Sequence, residues 1–170
     1  QGWKQVPQYR IDLGGEKEQA LNLQYAGRLE DLQARLEQKG WREPLALTPA
    51  TSLHWLMKKP AVKDLPTLPQ VNDGRNENLL LIHPLPGSGT DFMALRFWPA
   101  DVVLDDSTPL RVGTLSTMRI HSYLNLIYLP STESTLSPES LLPALSGLQT
   151  RLQPGPNQVL LIEDNRNYRP

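Results

Sequence analysis

Four short apolar runs in the second half of the chain constrain its fold more than any other feature. They cover residues 79–83, 92–98, 110–117 and 123–129, and turn-forming sequences at 86–89, 105–107 and 119–122 separate them. Runs of this length, bounded by turn residues, are typical of strands joined as hairpins or as a meander. This half of the chain is therefore predicted to form a sheet.

The first half predicts a strand followed by a helix. Residues 19–26 alternate between apolar and polar, the pattern of a half-buried strand, and Gly27 ends it. Three leucines at helical spacing then indicate a helix that ends at Gly40. One continuous helix over residues 16–39 fits the same leucines, although Gly27 inside it would cost about 1 kcal/mol.

The other segments complete an α+β prediction. The predicted elements are a short strand over 41–47, a helix over 50–58 begun by Thr48 and Pro49, a Pro-rich extended segment over 59–78, a helix from Ser137 to about residue 152, and a last strand over 158–163. Their sum is a two-layer domain with a mixed or mainly antiparallel sheet of six to seven strands and three helices. We assign residues 19–164 to this domain, residues 1–18 to a linker or tail, and residues 165–170 to a second tail.

Charge and length exclude several classes of protein. The 170 residues carry 17 basic and 18 acidic side chains, a formal charge of −1, which argues against electrostatic binding of nucleic acid or of anionic lipid headgroups. The chain has no Cys, which excludes disulfides, thiolate metal sites and cysteine nucleophiles. The longest apolar runs, such as residues 79–82, are far shorter than the roughly 20 residues that span a bilayer. Because the chain begins at Gln1, without an initiator Met or a signal peptide, we expect it to be either part of a longer polypeptide or a processed chain.

Histidines offer no recognisable metal site. His54, His83 and His121 are the three in the chain, and no two share the short spacing of metal ligands. A third hypothesis for the chain is a hydrolase that uses a histidine-bound metal. We predict no metal and no cofactor.

Two further kinds of motif resemble catalytic elements. Residues 87–90 (Gly-Ser-Gly-Thr) resemble a phosphate-binding loop but lack its Lys and lead into a strand, so they are predicted to be a hairpin loop. The dipeptides Asp105-Asp106 and Glu163-Asp164 place carboxylates side by side, but neighbouring residues in a strand or turn point apart. No catalytic residue is therefore predicted.

The segment Leu95-Arg96-Phe97-Trp98-Pro99 is the most distinctive candidate for binding. On a strand, Leu95 and Phe97 share one face, and Arg96 and Trp98 share the other. If the second face is open, it offers a cation beside an indole to an anionic or ring-bearing ligand. The alternative is that another element covers this face, so that Trp98 is buried and Arg96 is salt-bridged or reaches solvent.

Several segments together resemble the LssY carboxy-terminal domain family of bacteria. The matching pieces are residues 22–27, Leu29, Leu32 and Leu36 leading into Gly40-Trp41, residues 68–70, Asp73-Gly74-Arg75, residues 95–99 and residues 109–113. The resemblance covers roughly residues 21–113 in order. It departs from the family at Arg111, where a larger aromatic residue usually precedes Val-Gly. Proteins with such a domain often carry a separate phosphatase region, and this chain does not assemble the signature of that region, so no phosphatase residue carries over.

The resemblance implies where such a domain is found rather than which reaction it catalyses. Such domains are appendages of inner-membrane proteins that often carry DedA-type or type-two phosphatidic-acid phosphatase regions. We therefore expect a non-catalytic accessory domain that docks to the membrane region of its own parent chain through residues 60–69 and the face of Arg96 and Trp98. The side of the membrane stays open, with the cytoplasm favoured. An alternative is a lipid-headgroup or anionic-ligand domain whose pocket between sheet and helices uses Arg96, together with Arg111 or His83.

Overall fold

A seven-stranded mixed sheet forms the centre of the protein. The structure, a computed structural model, describes residues 2–57, 60–104 and 107–164. The strands are β1 (Tyr9–Ile11), β2 (Lys17–Ala20), β3 (Leu23–Ala26), β4 (Val71–Asn72), β5 (Arg75–Asn76), β6 (Leu79–Pro84), β7 (Phe92–Val103), β8 (Pro109–Tyr123), β9 (Ile127–Thr135), β10 (Gln149–Gln153) and β11 (Val159–Glu163). The helices are α1 (Leu29–Glu37), α2 (Pro49–Ser52) and four 3-10 helices, Gly2–Gln5, Leu53–Leu56, Val62–Asp64 and Pro138–Leu145. The predicted α+β class is confirmed.

The long strand β8 organises the sheet. The strand order is β10-β11-β3-β8-β7-β6, with β9 also paired to β8. β3 pairs with the first part of β8 and β9 with its second part, so the two strands follow one another along the same edge. Asn22 lies at this junction: its side chain accepts from the Leu115 amide at 2.8 Å and donates to the Leu136 carbonyl at 2.8 Å. A buried amide thus joins the strands where the sheet hydrogen bonds change partner.

One face of the sheet carries the main core under the helices. Leu32 and Leu36 of α1 and Leu141 and Leu145 of the last 3-10 helix pack against it and are fully or almost fully buried. The sheet side chains on this face include Tyr25 and Phe97, whose ring centroids lie 6.1 Å apart. Burial of a leucine contributes about 1.5–3 kcal/mol. This face therefore supplies most of the apolar stabilisation.

The other face is covered by irregular chain. The N-terminal segment packs Trp3 and Val6 against a cluster around Trp98. Leu65 and Thr67, on the Pro-rich segment, are buried, and the Thr67 hydroxyl lies 3.9 Å from the sulfur of Met118. Residues 2–20, most of which the sequence assigned to a linker or tail, contain β1 and β2, and β1 packs beside β4. Residues 165–170 lie outside the described residues.

Several predicted elements have other bounds. Residues 19–26 are two strands, parts of β2 and β3, and the alternative helix over 16–39 is wrong. Residues 41–47 form only isolated bridges, because Pro44 interrupts any ladder. The segment 59–78 is not wholly extended, since it includes a 3-10 helix, β4 and β5.

Two predicted helices are shorter than expected. The Thr48 cap and Pro49 are confirmed, but α2 ends at Ser52 and continues only as the 3-10 helix Leu53–Leu56. The helix from Ser137 is a 3-10 helix that ends at Leu145, because Pro143 lacks the amide that an α-helix needs there. Residues 149–153 are the strand β10. Among the described residues, no helix is long and apolar enough to cross a membrane.

Candidate functional site

Arg96 and Trp98 are enclosed beneath the Pro-rich segment. Arg96 is 2% exposed and donates from Nη1 to Glu77 Oε2 at 2.6 Å, while Trp98 is 0% exposed and donates from Nε1 to the Gln70 carbonyl at 3.1 Å. The structure therefore has the covered arrangement, in which an extended segment rather than a helix lies over this face. The interpretation that the face of Arg96 and Trp98 is open to a ligand is wrong for this structure.

The Arg96–Glu77 pair has the properties of a structural ion pair. Burial raises the pKa of Glu77 above its ordinary value, and the charge and hydrogen bond of Arg96 oppose that rise. Burial likewise lowers the pKa of Arg96. Because the two charges are buried together, removing either one would leave the other uncompensated. The pair fastens the Pro-rich segment to the sheet.

His83 and Arg111 lie elsewhere. The register places His83 opposite Met93 and Arg111 opposite Pro99, on the helix-covered face of the sheet and six residues apart along β7. At about 3.3 Å per residue this separation is roughly 20 Å. His83 stacks on Trp41 with centroids 5.3 Å apart and contacts the Pro84 carbonyl through Nδ1 at 2.8 Å. The four predicted binding residues therefore do not form one site.

The other candidate motifs have structural surroundings. His54 Nδ1 lies 2.9 Å from the Asp64 carbonyl, and His121 contacts Glu133. Within the described ranges, no group of three or more His, Asp or Glu could hold a metal ion. Residues 87–90 lie in the loop between β6 and β7, which confirms the hairpin interpretation.

The two adjacent-carboxylate motifs differ in what the structure describes. Asp105-Asp106 falls outside the described residues. Glu163 ends β11, and the Asp164 amide donates to the Ala26 carbonyl at 3.1 Å.

The end of the β8–β9 hairpin, residues 123–127, is an unexpected candidate for an interaction surface. The pairing of β7 with β8 ends at Phe92 and Met118, whereas the pairing of β8 with β9 continues to Tyr123 and Ile127. The hairpin therefore extends about five residues, roughly 17 Å, beyond β7 as a two-stranded ribbon. We call residues 123–127 the hairpin tip.

The hairpin tip exposes four apolar side chains. The exposed fractions are 51% for Tyr123, 90% for Leu124, 66% for Leu126 and 43% for Ile127. Side chains of this size are normally scattered singly on a surface, and their concentration at one turn makes the hairpin tip a candidate for an interaction surface.

The turn at the tip holds Leu124 in a backbone conformation that is strained for a leucine. Leu124 and Asn125 have φ angles of 55° and 54°, and the Leu126 amide donates to the Tyr123 carbonyl at 3.0 Å. Consecutive positive φ angles are typical of a type I′ hairpin turn, which favours Asn and Gly. Asn125 suits this conformation, whereas Leu124 occupies it without burial to compensate.

The 3-10 helix Leu53–Leu56 adds apolar surface beside the same hairpin. It packs against β9, and Leu53, Leu56 and the following Met57 are exposed. The helix is anchored from beneath by Trp55, whose Nε1 donates to the Pro66 carbonyl at 3.0 Å. The tip and residues 53–57 together form what we call the apolar end.

A cavity of about 500 Å³ lies between the Pro-rich segment, the loop that joins β6 to β7 and the β8–β9 hairpin. Its lining includes Pro60, Ala61, Phe92, Ile120, Tyr128 and Arg119. Arg119 Nη2 lies 2.7 Å from Asp91 Oδ2, and its hydrogen bond holds the pKa of Asp91 below the ordinary value. The cavity thus combines an apolar lining with a paired cation at its wall.

The sequence placed this hairpin incorrectly. It predicted a connector at residues 119–122 and a strand over 123–129, but β8 continues to Tyr123 and the turn follows it. Arg119, His121 and Ser122 make this segment resemble a turn, although they belong to a strand of the ribbon. Asn125 within an apolar run was the signal that could have located the turn.

Comparison with known proteins identifies a family. The family model described as LssY C-terminus matches residues 3–122, more than half of the chain, and ends one residue before the hairpin tip. No curated protein and no solved structure matches the chain significantly. The match confirms the resemblance and extends it to the N-terminal strands β1 and β2. The chain belongs to the LssY C-terminus family.

Proposed function

We propose that this chain is a non-catalytic accessory domain of a bacterial inner-membrane protein. In this proposal it docks to, and regulates, a lipid-phosphate phosphatase or DedA-type region of its own parent chain. The family description, which names the C-terminus of a larger protein, supports a role as one part of a longer chain. We propose the cytoplasmic face, because an even number of spans would leave a carboxyl end there.

The hairpin tip is the observation that carries the proposal. Leu124 is 90% exposed at the end of a ribbon that extends beyond the sheet, where it adds almost nothing to the core. An exposed apolar group of this kind is expected where a protein meets an apolar partner. For a domain attached beside a membrane, the membrane is such an apolar partner.

The proposal is tested in the full-length parent protein. The double variant Leu124→Asn, Leu126→Asn is compared with Leu13→Asn, a leucine that is 81% exposed on the β1–β2 hairpin. We expect the double variant to change the parent's turnover of lipid phosphate several-fold in native membranes, while Leu13→Asn leaves it unchanged. Equal activity of the two variants, or hydrolysis of lipid phosphate by the isolated chain, would contradict an accessory role.

A second candidate function, binding of a small anionic or lipid-headgroup ligand, is favoured by the cavity beside Arg119. Phe92, Ile120 and Tyr128 offer an apolar lining, and Arg119 offers a cation that an anion could share with Asp91. Titration with a short-chain phosphatidic acid should shift the NMR signals of Tyr128 and Ile120. The matched phosphatidylcholine should not shift them, and equal shifts from both lipids would argue against headgroup recognition.

A further inference from the structure

We propose that the apolar end inserts into the interface of an anionic lipid bilayer, with the hairpin tip as its deepest part. This inference rests on the proposed function, since it specifies what the accessory domain contacts at the membrane. It commits to lipid, rather than to a protein surface, as the occupant of the tip. Shape, backbone conformation and charge each support that choice.

The tip has the shape of a wedge. Tyr123 and Ile127 are paired at the end of the ribbon, and Leu124 and Leu126 lie in the turn between them. All four side chains are exposed by more than 40%, so the turn is apolar over its flanks and its end. A bilayer accepts such a projection without a preformed groove, whereas a protein partner must provide a matching cavity.

The backbone conformation of the turn indicates that Leu124 does not contribute to the stability of the fold. A left-handed conformation costs an L-residue about 1–2 kcal/mol, and Asn or Gly would relieve much of that cost. Since Leu124 is 90% exposed, packing returns little of it. Transfer of the side chain into lipid is a physical gain that only an apolar residue at this position can supply.

A cluster of lysines that follows residues 53–57 in the sequence matches anionic headgroups in charge. Lys58 and Lys59 directly follow Met57 in the sequence, and Lys63 comes four residues later, so that three of the six lysines lie within six residues. Lys63 is exposed on a short 3-10 helix. Each Lys near an anionic surface contributes about 1 kcal/mol at low screening. This cluster stands out in a chain whose formal charge is −1.

The expected depth is that of an interfacial element. Interfacial segments bury their apolar residues about 5–10 Å into the boundary between headgroups and acyl chains. The projecting ribbon, roughly 17 Å long, is sufficient to place the tip at that depth while the sheet stays outside. Tyr123 and Tyr128, at the tip and just behind it, suit the headgroup level because each combines an apolar ring with a hydroxyl.

The test measures binding of the whole chain to sedimented vesicles. One set of vesicles contains phosphatidylglycerol and phosphatidylcholine, and the other contains phosphatidylcholine alone. We expect stronger partition to the anionic set and weakening with added salt. The double variant Leu124→Asn, Leu126→Asn should lose about a hundredfold in partition, at roughly tenfold per leucine. The matched control Leu13→Asn should partition like the unmodified chain.

The outcomes separate the inference from the proposed function. Unchanged partition of the double variant, with circular dichroism showing that it is folded, would overturn insertion of the tip. Failure of the chain to bind either vesicle set, while the tip variant still alters the parent's activity, would overturn lipid as the occupant and leave the accessory role. Loss of vesicle binding in the double variant without any change in the parent's activity would support insertion and contradict the regulatory role.

Discussion

Replacing Leu124 by Asn should stabilise the protein while removing its most exposed apolar side chain. Leu124 has a φ of 55° and is 90% exposed, so its backbone is strained and its side chain is almost unpacked. Asn adopts this conformation more readily than Leu, because its short polar side chain bonds to the local backbone. At this position, a substitution that raises the stability of the fold is therefore expected to weaken the interaction that the hairpin tip makes.

The size of the effect follows from two contributions. Relief of the left-handed conformation should contribute about 1 kcal/mol. Loss of the tenth of the side chain that is buried should cost about 0.2 kcal/mol, from about 2 kcal/mol for full burial of a leucine. The net gain of about 0.8 kcal/mol corresponds to a rise in Tm of roughly 2–3 °C for a domain of this size.

Urea unfolding followed by circular dichroism measures this gain. The midpoint should rise with an unchanged m-value, since the surface exposed on unfolding hardly changes. Leu126→Asn is the matched control: Leu126 is exposed but has no positive φ, so its substitution should stay within about 0.5 kcal/mol of zero. A destabilisation by Leu124→Asn would refute the reasoning, because it would mean that Leu124 packs in the folded chain.

Three further predictions concern the interior. Glu77→Ala should destabilise the fold by about 3 kcal/mol in urea unfolding, because it leaves Arg96 charged, buried and unpaired; a loss below about 1 kcal/mol would contradict this structural role. Burial, followed by the charge of Asp164, raises the pKa of Tyr25 above its ordinary value near 10, so its phenol stays protonated in the folded chain while it ionises in the unfolded chain. Stability linked to Tyr25 is therefore complete below about pH 10 and falls above it, and Tyr25→Phe should have a shallower decline in unfolding free energy between about pH 9 and 11; equal slopes would contradict the assignment. Gly113→Ala should cost about 2 kcal/mol and lower Tm by several degrees, since the new methyl would lie 2.5 Å from the Arg96 carbonyl oxygen; an unchanged Tm would show that the sheet yields there.

Local patterns in the sequence predicted the parts of the fold that local forces determine. The alternation around Leu23 and Tyr25 identified β3, and the leucine spacing identified α1 with its end near Gly40. Thr48 and Pro49 located the start of α2, where the Thr48 hydroxyl accepts from the Thr51 amide. In these elements the residues that define the structure are close neighbours in the chain.

The features that depend on distant segments could not be obtained in the same way. Arg96 is buried because Glu77 and the Pro-rich segment return across the sheet, and a strand pattern does not indicate which segment covers it. The exposed tip was hidden for a similar reason. Tyr123 and Leu124 resemble core residues, and only the register of β7 with β8, which stops at Met118, leaves the ribbon uncovered.

Fluorescence of a probe at position 124 reports directly whether the hairpin tip enters the bilayer. Because the chain has no Cys, Leu124→Cys provides a single attachment point for an environment-sensitive fluorophore, and Leu13→Cys provides the control. We expect anionic vesicles to shift the emission at position 124 to shorter wavelength and to make the probe accessible to a quencher in the acyl chains, with no change at position 13. An emission at position 124 that stays water-like while the protein sediments with the vesicles would contradict insertion of the hairpin tip.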